Sequence, residues 1–573
     1  MTEAQIQSDD MGVYDVIVVG AGAGGLSAAI TARSLGLSVA IVEKEPVYGG
    51  TTARSGGWLW IPCNSLAKEE GIKDTREAAY TYLRHEAGNY FDESRVNAFL
   101  DNGPKMVDFF HKETAVKFYL GPTFADYHAE APGGVVGGRS ICAQPFDGRE
   151  LGGRIKTLRP PLPEITLLGM MLGSNKEIRH FLNATRSIKS IFIVAGLLLK
   201  YARDLAFHGR GMRLTNGNAL AGRLAKAVFD LNIPIWLSSP VKELQEDGQR
   251  TVTGVVVERE GKRVSLTARR GVVLAAGGFP HDMARRAKLY PHLLNGSEHW
   301  SPTSPASTGD GIRLGEAAGG EINSAVGSPA AWAVVSKVPH RDGTTGLFPH
   351  FIDRQKPGII AVTRKGLRFV NEGNSYFDFI SAMIHVCQDT ADCSAFLICD
   401  HAALRRYGMG FVKPYPLPYS HHVRSGYLLK GKTLDDLATA AGIDVANFKK
   451  TVVDYNVHAR AGQDPQFGKG TTAYNRYLGD PDHKPNPCVA PVEQGPFYAI
   501  RVFPGDLGTF IGLKTDRYSR VLNSDGEPVL GLYAVGNDNA SVFGGNYVGG
   551  GTTLGPAMTF GYIAARHLAE ARA

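Results

Sequence analysis

Between Ser541 and Tyr562 the chain reads SVFGGNYVGGGTTLGPAMTFGY, with five glycines and a lone tyrosine, Tyr547, in its first eleven residues. Glycine at that density gives up chain entropy on folding, so the stretch reads as a place where something must approach the backbone closely. A second concentration lies at the other end, in YDVIVVGAGAGGLSAAITARSLGLSVAIVEKE, from Tyr14 to Glu45. There Gly20, Gly22 and Gly25 form G-x-G-x-x-G, and Glu43 follows at the end of the next apolar run. Each position has a reason: Gly20 for a tight turn, Gly22 for approach to a pyrophosphate, Gly25 for close helix–strand packing, Glu43 for a ribose diol. The helix that opens after the glycines would offer unpaired N–H groups and a positive dipole end to the phosphates. Because strand, loop, helix, strand and acid stand in order, the segment is read as a dinucleotide site.

Three further segments are drawn to the same ligand. KEPVYGGTTARSGGWLWIP gathers Gly49, Gly50, Thr51, Thr52, Ser55, Gly56 and Gly57 into one loop, small and hydroxylic enough for backbone contact with a flat ring system. GVVLAAGGF ends an apolar run on Ala276 and Gly277, and GLYAVGND ends another on Gly536 and Asn537. Strand-then-glycine endings at such distant places imply remote segments converging on one long cofactor. The pattern resembles FAD-dependent oxidoreductases, with Val241 and Leu554 added to the candidate FAD contacts, the latter at the start of a helix that would face the flavin.

These groups need elements to hold them. Val16–Val19 reads as a buried parallel strand, Leu26–Leu35 as a helix and Ser38–Val42 as a second strand. Asn216–Asp230 has helical spacing; IPIWL and TGVVVER are strand-like, with the turn signal EDGQ between them. Farther on, STGDGIRLGEAAGGEI reads as a helix, GIIAVT and RFVNE as strands, and Leu434–His458 as a helix pair broken at AGID. The expected architecture is α/β: a Rossmann-like FAD-binding domain over 13–300, an inserted α+β substrate domain over 301–495, and a return to the FAD domain over 496–573. Residues 155–212 read as a helical addition to the first of these.

Composition bounds the function. The 573 residues suffice for more than one core. Glycine is high, 69 residues, about 12% against a usual ~7%. The net charge of +7 is mild for this length, and basic blocks with interleaved aromatics are absent, which argues against nucleic acid. The six cysteines match no zinc or iron–sulfur spacing, and His281, His350, His385, His421 and His422 lack a third ligand at metal spacing, so they read as surface or pocket residues. No serine elbow is seen. A second nucleotide fingerprint is also absent, so the electron acceptor is read as a quinone or a carrier protein rather than NAD(P). No secretory signal opens the chain, and the cytoplasm is the expected location. The longest apolar run, IFIVAGLLL over Ile191–Leu199, is too short to span a bilayer, which takes about 20 residues. With Lys189, Lys200, Arg203 and Arg210 around it, it is either a buried core helix or a helix touching the inner membrane face through about 160–205. Trp58 and Trp60 are candidates for channel lining or for packing.

Nine stretches carry a closer likeness: GAGAGG, GGTTARSGG, PTFADY, GVVLAAGGF, RFVNEGNSY, EQGPFYA, DLGTFIGLKTD, GLYAVGND and NYVGGG. Over most of the chain, 155–212 apart, they resemble the FAD-dependent 3-ketosteroid dehydrogenases that introduce a Δ1 double bond, within the wider fumarate-reductase-like flavoproteins. The resemblance implies roles for four residues: Tyr127 after Asp126, Tyr376 four residues beyond the Asn-Glu of RFVNE, and Tyr547 with Gly551 in YVGGG, where Val548 replaces the family's proline. Desaturation beside a ketone removes a proton from the alpha carbon and a hydride from the beta carbon, the latter to flavin N5. Tyr376 would be the base, Tyr127 its relay, and Tyr547 O–H with Gly551 N–H the donors to the enolate oxygen. The substrate is then a small hydrophobic ketone, with a 3-oxosteroid leading and a smaller cyclic ketone as the alternative. A fumarate-reductase-like ene-reductase is a further alternative, opposed by Tyr376 where those enzymes put an arginine. So is a flavin-binding protein without catalysis.

Overall fold

The apolar run near the N-terminus lies in the middle of a parallel sheet. In a computed structural model that describes residues 12–173 and 175–570, strand Val13–Val19 pairs in parallel with Val39–Val42 on one side and with the end of Lys262–Leu274 on the other. The sheet runs Arg520–Leu522, Pro528–Ala534, Lys262–Leu274, Val13–Val19, Val39–Val42, Ile235–Trp236. Strand Lys262–Leu274 serves two neighbourhoods. Its first half pairs antiparallel with Val252–Arg259, and its last residues join the parallel sheet. Helix Ala23–Ser34 packs against the C-terminal helix Leu554–Glu570. Ser27 Oγ donates to the Met558 carbonyl at 2.7 Å across that contact.

A second sheet stands apart, entirely antiparallel: Thr345–Pro349, Ala330–Pro339, Phe497–Thr509, Ala395–Cys399, Ile359–Thr363, with Leu429–Gly431 also on Phe497–Thr509. Alternation along Ile359–Thr363 shows why it is covered on both faces. Ile359 and Ala361 join the core under helix Tyr376–Val386, while Ile360 and Val362 join the core under helices Leu434–Ala441 and Val445–Ala459. The mixed α/β architecture thus has one mainly parallel and one antiparallel layer.

Three expectations change. Strand Phe497–Thr509 is the centre of the second sheet, so a return at 496 would cut that sheet; the chain rejoins the first sheet at Arg520–Leu522. At the other boundary, helix Asp310–Ala317 places Leu314 in the core of the first sheet, before the second sheet begins at Ala330. RFVNE forms no strand. Arg368 instead spans the carboxylates of Glu372 and Asp464 with bonds of 2.8 Å, all three side chains buried. Ion-pair geometry, not a ladder, fixes this stretch.

The apolar run at 191–199 is helical, within Ile188–His208, but it is not a core helix. The helix buries Ser190, Val194 and Asp204 and leaves Ile188, Phe192 and Leu199 exposed at 75%, 73% and 74%. Exposed Ile191, Leu198 and Leu205 continue the same stripe at helical spacing. Its amphipathicity is inverted with respect to the rest of the molecule.

Candidate active site

A cavity of about 840 Å³ runs between the two layers, from the glycine turn at Gly20 to Tyr376. Its first end is built by the parallel sheet. Gly20 has φ +109°, and a Cβ there would sit 2.3 Å from the Ala275 carbonyl oxygen, so no other residue fits the turn. Gly22 and Gly50 both line the cavity and lie against each other, with an ordinary contact distance of 3.7 Å between the Cβ position of Gly50 and the Gly22 Cα. Gly25 does not line the cavity; its Cβ position lies 2.1 Å from the Gly20 carbonyl oxygen, which is the close helix–strand contact. Glu43 lines the cavity and accepts from the Ala21 N–H at 2.9 Å and the Glu45 N–H at 3.0 Å. Burial raises its pKa, opposed by those two bonds.

The remaining candidate cofactor contacts come together on the same walls. Thr51, Thr52, Ser55, Gly56 and Gly57 form one side, and Ala276, Gly277, Gly536 and Asn537 another. Val241 lies toward the Glu43 side of the lining, and Leu554 opens the C-terminal helix. Asp538, quoted in the sequence only as part of GLYAVGND, ties two of these loops together. Its carboxylate accepts from the Ala276 N–H at 2.5 Å and the Gly278 N–H at 2.9 Å, and burial pushes its pKa up to about 6 despite them. The glycine wall at Gly22 and Gly50, the N-terminus of helix Ala23–Ser34 beside it, where the Ala23 N–H donates to Thr52 Oγ1 at 3.0 Å, and the length of the cavity suit a dinucleotide.

At the far end three tyrosines meet from three segments. Tyr127 follows the short strand Phe118–Leu120, Tyr376 is the first residue of helix Tyr376–Val386, and Tyr547 lies in the glycine loop. The Tyr127 hydroxyl donates to that of Tyr376 at 2.9 Å. Tyr547 stacks on Tyr127 at 5.5 Å between centroids and meets Tyr376 edge-on at 5.2 Å. Burial pushes Tyr127 and Tyr376 well above the ordinary phenol value and Tyr547 up to about 12. The hydrogen bond from Tyr127 works the other way on Tyr376. So does its place at a helix N-terminus, which favours an anion.

The glycines beside Tyr547 answer to protein neighbours as well as to any ligand. A Cβ at Gly549 would strike the Trp60 ring at 2.6 Å, at Gly550 the Phe124 ring at 2.4 Å and at Gly551 the Leu59 backbone at 2.4 Å. Val548 contributes its carbonyl, accepting from the Tyr127 N–H at 3.1 Å and the Tyr82 hydroxyl at 2.7 Å, which joins the Tyr127 and Tyr547 loops. Asp126 is held by Trp60 Nε1 and Arg139, each at 2.8 Å. The two tryptophans therefore divide: Trp58 lines the cavity and Trp60 is packing. His350, read as a surface or pocket residue, is buried between Asp353 and Ser336. Phe351, Tyr474 and Tyr477 line the cavity beside the site tyrosines without any local motif to announce them.

Residues 15–554 match the family described as FAD binding domain. The chain is 42% identical, over 97% of its length and 94% of the relative's, to a 4-oxocyclohex-2-ene-1-carboxylate 5-dehydrogenase from Sinomonas cyclohexanicum. It is 37% identical to a 3-oxosteroid 1-dehydrogenase of Mycobacterium tuberculosis, covering 97% of this chain and 98% of that one. Among solved structures, a 3-ketosteroid Δ1-dehydrogenase from Sterolibacterium denitrificans, in complex with 1,4-androstadiene-3,17-dione, superimposes with a TM-score of 0.89 at 37% identity, covering 98% of this chain and all of that one.

Proposed function

The chain belongs to the FAD-binding-domain flavoproteins and is a homologue of the 3-oxosteroid 1-dehydrogenases, and we propose that it desaturates a ring ketone next to its carbonyl, with a 3-oxosteroid as substrate. It is an FAD-dependent oxidoreductase acting on CH–CH groups. The observation that carries the proposed site is the Tyr127–Tyr376 hydrogen bond beside Tyr547, at the end of a cavity whose other end suits a dinucleotide.

Bound FAD supplies the acceptor for the hydride that leaves the beta carbon. The protein's own residues handle the proton and the carbonyl. Tyr376 removes the alpha proton, with Tyr127 as the partner through which charge on its oxygen is stabilised. Tyr547 O–H and Gly551 N–H hold the carbonyl oxygen as it gains enolate charge. Trp58, Phe124, Phe351, Ile352 and Leu478 give this region apolar walls that exclude water.

Charge supports a neutral substrate. Of the cations lining the cavity, Lys44 and Arg313 pair with Asp310, Arg159 with Glu45 and Lys242 with Glu258. Arg54 donates to the Thr303 carbonyl at 2.9 Å, and its Nε has no partner among the described residues. That orphan, with the 42% identical relative, favours one second reading, a cyclic keto acid. Anaerobic mixing decides between them. Rapid flavin bleaching by 4-androstene-3,17-dione, and little by 4-oxocyclohexanecarboxylate or cyclohexanone, is expected. Bleaching by the keto acid alone would move the substrate to the second reading, and bleaching by none would remove the ketone chemistry.

The inverted helix supports a membrane contact for the same enzyme. Its exposed apolar stripe is flanked by exposed Arg186, Lys189, Lys200 and Arg203, a pattern suited to an anionic lipid surface. Leu162, Gly173 and Ile178, from the same part of the chain, line the cavity, so a water-poor ketone would enter from the lipid side. No helix among the described residues is long and apolar enough to cross a membrane. The protein is expected to sediment with phosphatidylglycerol vesicles and far less with phosphatidylcholine ones, and the double variant Phe192→Glu/Leu199→Glu to stay in the supernatant. Equal recovery of both proteins in the supernatant would dismiss the contact. The electron acceptor proposed with it is a membrane quinone, the carrier protein being the alternative.

A further inference from the structure

Each site tyrosine has a chain neighbour bonded into one common cluster. His128 follows Tyr127, Asp378 lies two residues after Tyr376, and Asn546 precedes Tyr547. His128 Nδ1 is 2.8 Å from Glu86 Oε2, and its Nε2 is 3.2 Å from Asp378 Oδ2. Asn546 Nδ2 donates to the Glu86 carbonyl oxygen at 2.7 Å and reaches the Glu86 carboxylate at 3.3 Å. Asp378 also accepts from the hydroxyl of Ser375, the residue that caps the helix carrying Tyr376, at 2.9 Å. Glu86 is the hub. It sits near the end of helix Arg76–Ala87, and its side chain is only 4% exposed.

On the reading that these tyrosines desaturate a ketone, we propose that His128, Glu86 and Asp378 form a positioning clamp that fixes Tyr127, Tyr376 and Tyr547 relative to one another. The Tyr127 and Tyr547 loops already share the Val548 carbonyl. The first turn of helix Tyr376–Val386 belongs to the other layer, and His128 joins it to them through Asp378, in addition to the direct Tyr127–Tyr376 hydroxyl bond. Burial acts to lower the His128 pKa, but its bonds to Asp378 and Glu86 and their charges outweigh it and raise the value to about 11. The ring thus carries protons on both nitrogens and donates in both directions at neutral pH, which a neutral side chain of similar size does not. None of the three clamp residues lines the cavity; they act through the tyrosines.

Proton abstraction tolerates little displacement: about 1 Å of misplacement can cost on the order of 100-fold in rate. The expected result for His128→Ala and for Glu86→Gln, each as the FAD-loaded full chain, is a kcat lowered about 30- to 100-fold with KM within about threefold. The double variant is expected to lose no more than the worse single one, because both break the same clamp. A second readout is independent of turnover. The 19F signal of 3-fluorotyrosine placed at Tyr376 is expected to shift or broaden in either variant. Unchanged kcat and an unchanged 19F signal in both variants would overturn the clamp. So would losses in kcat and KM that track a lowered Tm, since those would mark a merely structural role. A wild-type protein that bleaches with no ketone, while the 19F signal still responds to His128→Ala, would instead remove the functional reading and leave the clamp standing.

Discussion

Tyr376→Phe is expected to keep its flavin and to lose about 10³-fold in kcat, the scale of a general base. The substitution removes one oxygen and keeps the ring that packs edge-on against Phe351 and Tyr547, so neither the cavity nor the cofactor walls should change. The wild-type pH dependence carries a definite sign. Burial holds the Tyr376 phenol well above 10, so at neutral pH it is mostly protonated, and only the deprotonated form removes a proton. The rate should therefore rise with pH from neutrality upward and level off only as the phenol titrates. The Tyr127 hydroxyl is a contact that lowers this value. Tyr127→Phe should then push the rising limb to higher pH and reduce the rate at pH 7. Flavin absorbance of the purified variants and pH–rate profiles with the bleaching ketone check both statements. A Tyr376→Phe enzyme within tenfold of wild type would end the base assignment.

What could be read from the sequence follows from how local each determinant is. The glycine turn at Gly20, its helix and the acid at Glu43 are contiguous, and one motif reports all of them because their geometry is set within thirty residues or so. Strand Phe497–Thr509 shows the opposite case. Pro504 and Gly505 stand in its middle, where they argue against a strand. It holds because partners about a hundred residues away or more pair with each half. RFVNE has the residue types of a strand, yet the pairing of Arg368 with Asp464, 96 residues on, overrides them. Helical spacing announced the helix around 191–199 but not which face would be covered, since that depends on neighbours and not on period. The tyrosines came from motifs in three segments, while the distances between them, and the His128 cluster behind them, come only with the packing of the two layers.

The second large effect is expected at Tyr547, and it should differ in kind from the first. With its pKa at about 12, the Tyr547 hydroxyl remains a proton-bearing donor throughout the working range. A donor aimed at the oxygen that gains charge is worth about 10²–10³ in rate. In the proposed role it would also contact the ketone before reaction, so Tyr547→Phe should raise KM as well as lower kcat, where Tyr376→Phe lowers kcat alone. The rising pH limb should move to lower pH in the Tyr547 variant, opposite to Tyr127→Phe, because the Tyr547 hydroxyl is one of the contacts that raise the Tyr376 pKa. Gly551→Ala provides the contrast for the other donor. Gly551 has φ +108°, and a Cβ would lie 2.4 Å from the Leu59 backbone, so the loop must move and carry Tyr547 with it. That variant should combine the KM increase of Tyr547→Phe with a lowered Tm. If instead Tyr547→Phe leaves both kcat and KM at wild-type values, the carbonyl is held elsewhere and the glycine loop serves packing against Trp60 and Phe124 alone.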